Sequence, residues 1–424
     1  MPVIIAENEY KGLSGGEIRK HFIEFFKGRK LSKVLLIPPD ITRLNSGAGL
    51  ITSICYQLLE GTHVDVLPAL GTHAPMTRDE QIAFFGPEIP ADRFLVHNWR
   101  DGVTKIGEVP AGFIEEASEG LMCEAFDVEV SDYLLDPSYD LILSIGQVVP
   151  HEVVGMANYT KNVVVGCGGS RFINGSHMLG AFYGLERIMG RDHSPVRAVF
   201  DYAERNYISK LRVEYALTVT VTEENKTDII GLYIGKEREG FERGVALSQK
   251  HNLSYLSKPV KTCVVWLDER EFHSTWLGNK AIYRTRMAMA DGGRLIVLAP
   301  GVKMFGEDSE NDRLIRKYGY VGRLRVLELI KTEQELQNNL SAAAHLIHGS
   351  SDGRFSITYC TQHLGKEEVE GVAFEYIPFD QAVARYNPRE LKNGYNTLPD
   401  GEEVYYIENP ALGLWALEGA FDEI

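Results

Sequence analysis

Cysteine is scarce in this chain of 424 residues: Cys55, Cys123, Cys167, Cys263 and Cys360 are the only five, and no two form a CxxC pair. So sparse and scattered a set excludes a disulfide scaffold or a zinc ribbon and favours a reducing compartment. Long hydrophobic runs are missing too, with no stretch approaching the roughly 18 apolar residues that span a bilayer. The opening MPVIIAENEYKGLSGG has no basic region leading into an apolar one, so neither secretion nor membrane insertion is expected and the cytoplasm is the expected location. Positive charge is in deficit, 44 Lys and Arg against 59 Asp and Glu, for a net charge of −15. Nucleic acid and anionic membranes are thereby disfavoured as partners, because both select basic surfaces. The P-loop, the dinucleotide glycine fingerprint, HExxH, internal repeats and low-complexity linkers are likewise absent.

What is present is α/β patterning. A chain of this length is large for one core, so two α/β domains are expected, with the active-site cleft between them. VLLI at 34–37, VDVLPAL at 64–70, RFLV at 93–96 and DLILSI at 140–145 read as strands, with helices near 48–60 and 77–85. A second unit begins near 260, where TCVVWLD reads as a strand, 274–290 as a helix stopped by Gly292 and Gly293, and LIVLAPG as another strand. Helical periodicity follows in RVLELIKTEQELQNNLSAAAHLIH, then RFSITYC and VAFEYIPF as strands. The expected division is an N-terminal domain over 1–258 and a C-terminal domain over 259–399. Residues 400–424 either close the second domain or return to the first.

Polar groups recur where the first strands end: Asp40, Thr42 and Arg43; Thr72 and His73; His97; Gln147 and His151. Ligands of open α/β sheets bind beyond the carboxyl ends of strands, so this recurrence points to one crevice. Each group also has a structural reading, since Asp and Thr cap helices and most His residues bond nearby backbone. Arg43 has the planar fork that binds a carboxylate or phosphate.

The densest chemistry lies in PHEVVGMANYTKNVVVGCGGSRFINGSH, where Lys161 stands ten residues after His151 and sixteen before His177. A lysine in an apolar, glycine-rich setting loses charge by desolvation and becomes nucleophilic. Gly166, Gly168 and Gly169 permit close backbone approach, and consecutive amides can cradle an anion. One His beside one modified Lys suits a metal held partly by an organic cofactor, since a protein-only catalytic zinc needs three ligands.

DITR at 40–43, GTH at 71–73, PHEVVG at 150–155, the Lys161 segment and GSH at 175–177, at these intervals, resemble the lactate racemase family that uses a nickel-pincer nucleotide. The resemblance implies nickel and a pyridinium-3-thioamide-5-thiocarboxylic acid mononucleotide joined to Lys161, with His177 as nickel ligand and His73 and His151 as the acid–base pair. It also implies that Arg43 and Lys280 hold the substrate carboxylate, while Asp40, Thr42 and Thr72, with Gly168 and Gly169, adjoin the cofactor. The substrate would be a small 2-hydroxy acid, and cofactor-maturation proteins would be partners. One departure stands out: Leu277 occupies the place of the family's substrate-side glutamine, which puts lactate itself in doubt. Two other readings stay open, a Schiff-base enzyme built on Lys161 of the aldolase or pyridoxal-phosphate type, and a carboxylate- or metal-binding protein without turnover.

Overall fold

Val34 to Ile37 form a strand buried on both faces, as a continuous apolar run in a largely parallel sheet should. The structure is a computed structural model that describes residues 2–223 and 226–421. The chain divides into two compact units, Met1–Tyr183 with Ile188–Asn252, and Gly184–Arg187 with Leu253–Ile424.

The first unit is built on a six-stranded sheet of β1 (Ile4–Glu7), β2 (Lys33–Ile37), β3 (His63–Val66), β4 (Leu141–Gln147), β5 (Val213–Glu223) and β6 (Lys226–Gly235), in the order β1-β6-β5-β4-β2-β3. β3, β2, β4 and β5 run parallel, β6 is antiparallel to β5, and β1 pairs antiparallel with β6 and so runs in the direction of the core strands. Leu35 sits opposite Asp65 on one side and Ile142 on the other. Helices α1 (Gly15–Phe26) and α2 (Ala48–Leu58) cover one face, burying Phe22, Phe25, Ile51 and Ile54 with Leu36 and Leu143. α1 starts at a reciprocal Ser14–Glu17 capping box. Gly49 lets α2 approach closely, since a Cβ there would lie 2.0 Å from the Phe84 carbonyl oxygen. Because β2, β3 and β4 are parallel, the segments that leave their carboxyl ends emerge on one edge.

Arg93–Val96 is not a strand, contrary to expectation. Ala91–Arg93 is a 3₁₀ turn, and Phe94 makes a single bridge to Val66. The apolar character there serves packing, with the Phe94 ring 5.4 Å from that of Phe85.

The second unit carries β7 (Val260–Trp266), β8 (Met289–Ala299), β9 (Phe355–Thr361), β10 (Glu375–Tyr376), β11 (Gly394–Thr397) and β12 (Glu403–Ile407), in the order β10-β9-β8-β7-β12-β11. All pairs are parallel except β11 with β12. β12 pairs with β7, and Leu414–Leu417 pairs with Leu253–Leu256, so the last strands lie within this unit. The helix expected over 274–290 is instead two short turns, Thr275–Gly278 and Lys280–Tyr283. Gly292 and Gly293 do not stop a helix. They lie in β8, where the register jumps from Val260 opposite Met289 to Thr262 opposite Arg294, and Gly292 turns the extra residues at φ +72°. The periodic stretch after 323 is three helices, Arg323–Thr332, Gln334–Asn338 and Leu340–His348, the last capped by Asn339. No described helix is long and apolar enough to cross a membrane.

Candidate active site

Asp40 closes β2 and caps the 3₁₀ turn Ile41–Ser46, and its carboxylate is fully engaged. Oδ1 accepts the Thr42 amide at 3.1 Å and its hydroxyl, and Oδ2 meets His73 Nδ1 at 2.6 Å. Burial pushes the Asp40 pKa up, but the bonds from His73 and Thr42 outweigh it and hold the carboxyl below its ordinary value. An ionised carboxylate only accepts, so His73 carries a proton on Nδ1, and the neutral form of the ring turns its Nε2 lone pair outward. The His73 side chain is 58% exposed, which leaves that nitrogen reachable.

Lys161 lies in the short helix α3 (Thr160–Val164), entered through two consecutive non-glycine residues in the left-handed region, Asn158 at φ 68° and Tyr159 at φ 58°. Such backbone costs roughly 1–3 kcal/mol per residue and persists only where its surroundings enforce it. Gly146 at the end of β4 makes room, because a Cβ there would lie 1.8 Å from Asn158 Nδ2. Asn162, next to Lys161, ties α3 to the sheet by donating to the Ile37 carbonyl at 3.1 Å and to Ser144 Oγ at 3.0 Å. The Lys161 amine forms no hydrogen bond among the described residues. Although the side chain keeps some surface, its amine sits deep enough that burial, helped by the Arg43 charge, brings its pKa to about 8. Protonation below that value quenches nucleophilicity. Acylation of Lys161 should therefore reach half its limiting rate near pH 8, as read by peptide mass spectrometry across a pH series, whereas a midpoint near the ordinary lysine value of about 10.4 would show a solvated amine.

His151 and His177 complete the group. His151 is 6% exposed, and its Nδ1 accepts the Val153 amide at 3.1 Å, so the single proton of the neutral ring sits on Nε2. Burial drives its pKa well down, and the nearby charges of Lys161 and Arg43 act the same way against Glu152. His177, on α4 (Ser170–Tyr183), donates from Nδ1 to the Ile173 carbonyl at 2.6 Å, and burial lowers its pKa as well. A neutral ring anchored through Nδ1 presents Nε2 as an open ligand atom, the usual arrangement for a metal-binding histidine.

Asp40, Arg43, His73, His151, Lys161 and His177 are thus linked by bonds or mutual electrostatic influence. The Arg43 guanidinium forms no hydrogen bond or ion pair among the described residues. Gly71 is tied to the same place by its amide, which donates to the Gly166 carbonyl at 2.8 Å, with exposed Thr72 next to it. Gly168 and Gly169 are sterically required, since Cβ atoms would lie 1.8 Å from the Val164 carbonyl oxygen and 2.1 Å from Glu129 Oε2. His97 bonds the Gly168 carbonyl at 3.0 Å through Nε2. Leu277 and Lys280 belong to the second unit, where the Lys280 ammonium lies 5.6 Å from the centre of the Phe272 ring. Asn158, Asn162 and Glu152 escaped sequence reasoning, and only their closeness to Lys161 and His151 hinted at them. Among the described residues no three His, Cys, Asp or Glu side chains gather to hold a metal ion.

Residues 18–187 match the family described as the lactate racemase N-terminal domain. A crystal structure of a Thermotoga maritima protein, solved as a structural-genomics target, is similar with a TM-score of 0.79 and 23% identity, covering 97% of this chain and 100% of that one. The lactate racemase apoprotein of Thermoanaerobacterium thermosaccharolyticum is similar with a TM-score of 0.71 and 15% identity, covering 96% of this chain and 93% of that one. At these identities the structural likeness establishes the fold. No curated protein matches the sequence.

Proposed function

We propose that this chain is an isomerase that inverts C2 of a small 2-hydroxy acid, with a nickel-pincer nucleotide joined to Lys161. The observation that carries this reading is the pairing of an unbonded amine of depressed pKa on Lys161 with an open Nε2 on neutral His177. These residues fit the group: the amine suits a covalent joint, and the open Nε2 of His177 would supply one nickel ligand. When bound, the group serves as acceptor and donor of the C2 hydride, chemistry that no side chain supplies.

The chain's own residues handle charge and protons. Arg43, with no partner among the described residues, takes the substrate carboxylate, and the substrate-side roles of Lys280 and Leu277 are those the resemblance implies. His73 takes the hydroxyl proton at Nε2, and Asp40 stabilises the imidazolium that results. His151 begins with its proton on Nε2 and serves first as a hydrogen-bond donor to the C2 oxygen. When Nδ1 takes up a proton from solvent in place of the Val153 bond, His151 can pass its Nε2 proton to the inverted C2 oxygen, and the neutral ring that remains, with Nε2 free, is the base for the other enantiomer. Asp40, Thr42, Thr72, Gly168 and Gly169 shape the cofactor side. Maturation proteins that build and load the cofactor are the expected partners, in the cytoplasm.

Chiral chromatography of loaded protein incubated with lactate, malate, and aromatic, branched and sugar-derived 2-hydroxy acids tests the proposal. Inversion of at least one substrate is expected. Failure of loaded protein to invert any of them overturns it. The depressed Lys161 pKa also favours imine formation, which borohydride trapping of a carbonyl substrate on Lys161 would reveal.

A further inference from the structure

The residues just before Lys161 border a second space in the first unit. A cavity of about 290 Å³ is lined by Tyr159, Asp201, Glu204, Arg205, Lys236 and Arg238, among others. Asp201, Glu204 and Arg205 share one face of helix α5 (Pro195–Asn206) through their three- and four-residue spacing. Glu204 is 8% exposed, and its two hydrogen bonds, from the Thr160 hydroxyl at 3.0 Å and the Tyr215 hydroxyl at 2.5 Å, both fall on Oε2. Oε1 has no hydrogen-bond partner among the described residues. Asp201 repeats the pattern: Oδ2 accepts Arg238 Nε at 3.0 Å, while Oδ1 is buried without a partner. The Tyr159 hydroxyl also forms no hydrogen bond among the described residues.

Glu204 Oε1 and the Tyr159 hydroxyl keep accessible surface, so both are open to an occupant that donates. Arg197 makes no hydrogen bond to Glu204 Oε1: Nη2 donates to the Met156 carbonyl at 2.5 Å, and Nε and Nη1 are buried without a partner among the described residues, with the charge of Asp201 acting on the guanidinium. One carboxylate oxygen, Glu204 Oε1, and the Tyr159 phenol at one cavity match an ammonium group, which offers three donors and no acceptor. Charge at the rim is mixed. Lys236 donates to the Ser209 carbonyl at 2.7 Å, Glu237 is exposed, and exposed Arg205 has no ion pair among the described residues. Arg205 is therefore placed to take a carboxylate beside the ammonium. We propose that this cavity binds an α-amino acid as its zwitterion, with the ammonium on Glu204 and Tyr159 and the carboxylate on Arg205. Thr160 and Tyr159 form the entry to the Lys161 helix, so occupancy is felt at Lys161. The proposal does not depend on which cofactor Lys161 carries.

Calorimetry and thermal melting of the full chain with the twenty L-amino acids, and with the amine left when each loses its carboxylate, test this site. At least one amino acid should bind at one per chain, raise the Tm and change the rate of Lys161 acylation, and its matched amine should bind at least tenfold more weakly. Glu204→Gln keeps the acceptor for Thr160 and Tyr215 but removes the charge, and should weaken binding at least tenfold, as should Tyr159→Phe. Arg205→Ala, at an exposed position, should bring amino acid and amine to the same affinity. No binding of any amino acid at millimolar concentration would overturn the proposal. So would wild-type affinity in both Tyr159→Phe and Arg205→Ala, or an amine that binds the native chain as tightly as its amino acid.

Discussion

Lys161→Ala and Lys161→Arg should each abolish the covalent loading proposed for Lys161. After exposure to the cofactor-making system, the native chain should gain a sulfur-containing mass on the peptide that carries Lys161, and neither variant should gain any. Arginine is the sharper of the two because it keeps a cation while remaining protonated at every accessible pH, so its failure separates nucleophilicity from charge. Racemisation should fall to background in both, a loss larger than removal of either proton-handling residue. The fold should survive. The Lys161 amine is buried without a hydrogen-bond partner among the described residues, so truncating it sacrifices no bond and relieves desolvation. Unchanged or slightly raised thermal midpoints for Lys161→Ala are expected. A large drop would assign Lys161 a structural role.

His73→Asn and His151→Asn should each lower kcat by roughly 10²- to 10⁴-fold, the span typical of a lost general acid or base. Their structural consequences differ. The exposed His73 ring leaves Asp40 with an unfilled Oδ2, whereas removal of buried His151 opens a gap beside the Val153 amide. Asp40→Asn gives a more specific result. An amide at this position no longer enforces the Nδ1–H form of His73, so the Nε2 lone pair is lost from part of the population while the ring stays in place. Activity should fall in Asp40→Asn with substrate KM little changed, because Arg43 is untouched. A raised KM with unchanged kcat would place Asp40 in substrate binding and remove the tautomer argument.

The site was legible in the sequence to the extent that its members are close along the chain or share a spacing. His151, Lys161 and His177 fall in one segment, and Asp40 and His73 end consecutive parallel strands. What gives them their chemical states was not legible. His73 owes its tautomer to a carboxylate 33 residues away, and His151 owes its own to a backbone amide that any residue at position 153 except proline would provide. Glu204 reads as a solvated helix residue until Thr160 and Tyr215 are folded against it. Apolar runs located β2, β4, β7 and β9 because strands buried on both faces leave that mark. The same reasoning misplaced Arg93–Val96, where a single aromatic packs without a ladder. It also extended the 274–290 helix past Tyr283, because nothing local announces that Arg286 turns inward to pair with Glu186 and Asp352.

The most direct measurement follows deuterium at C2. A 2-hydroxy acid deuterated at C2 and turned over in ordinary water by the loaded chain should yield an inverted product that keeps its deuterium, since a hydride returns to the carbon it left while His73 and His151 exchange only the hydroxyl proton. Inverted product with hydrogen from solvent at C2 would mean that a base removes that proton directly, and would contradict the account.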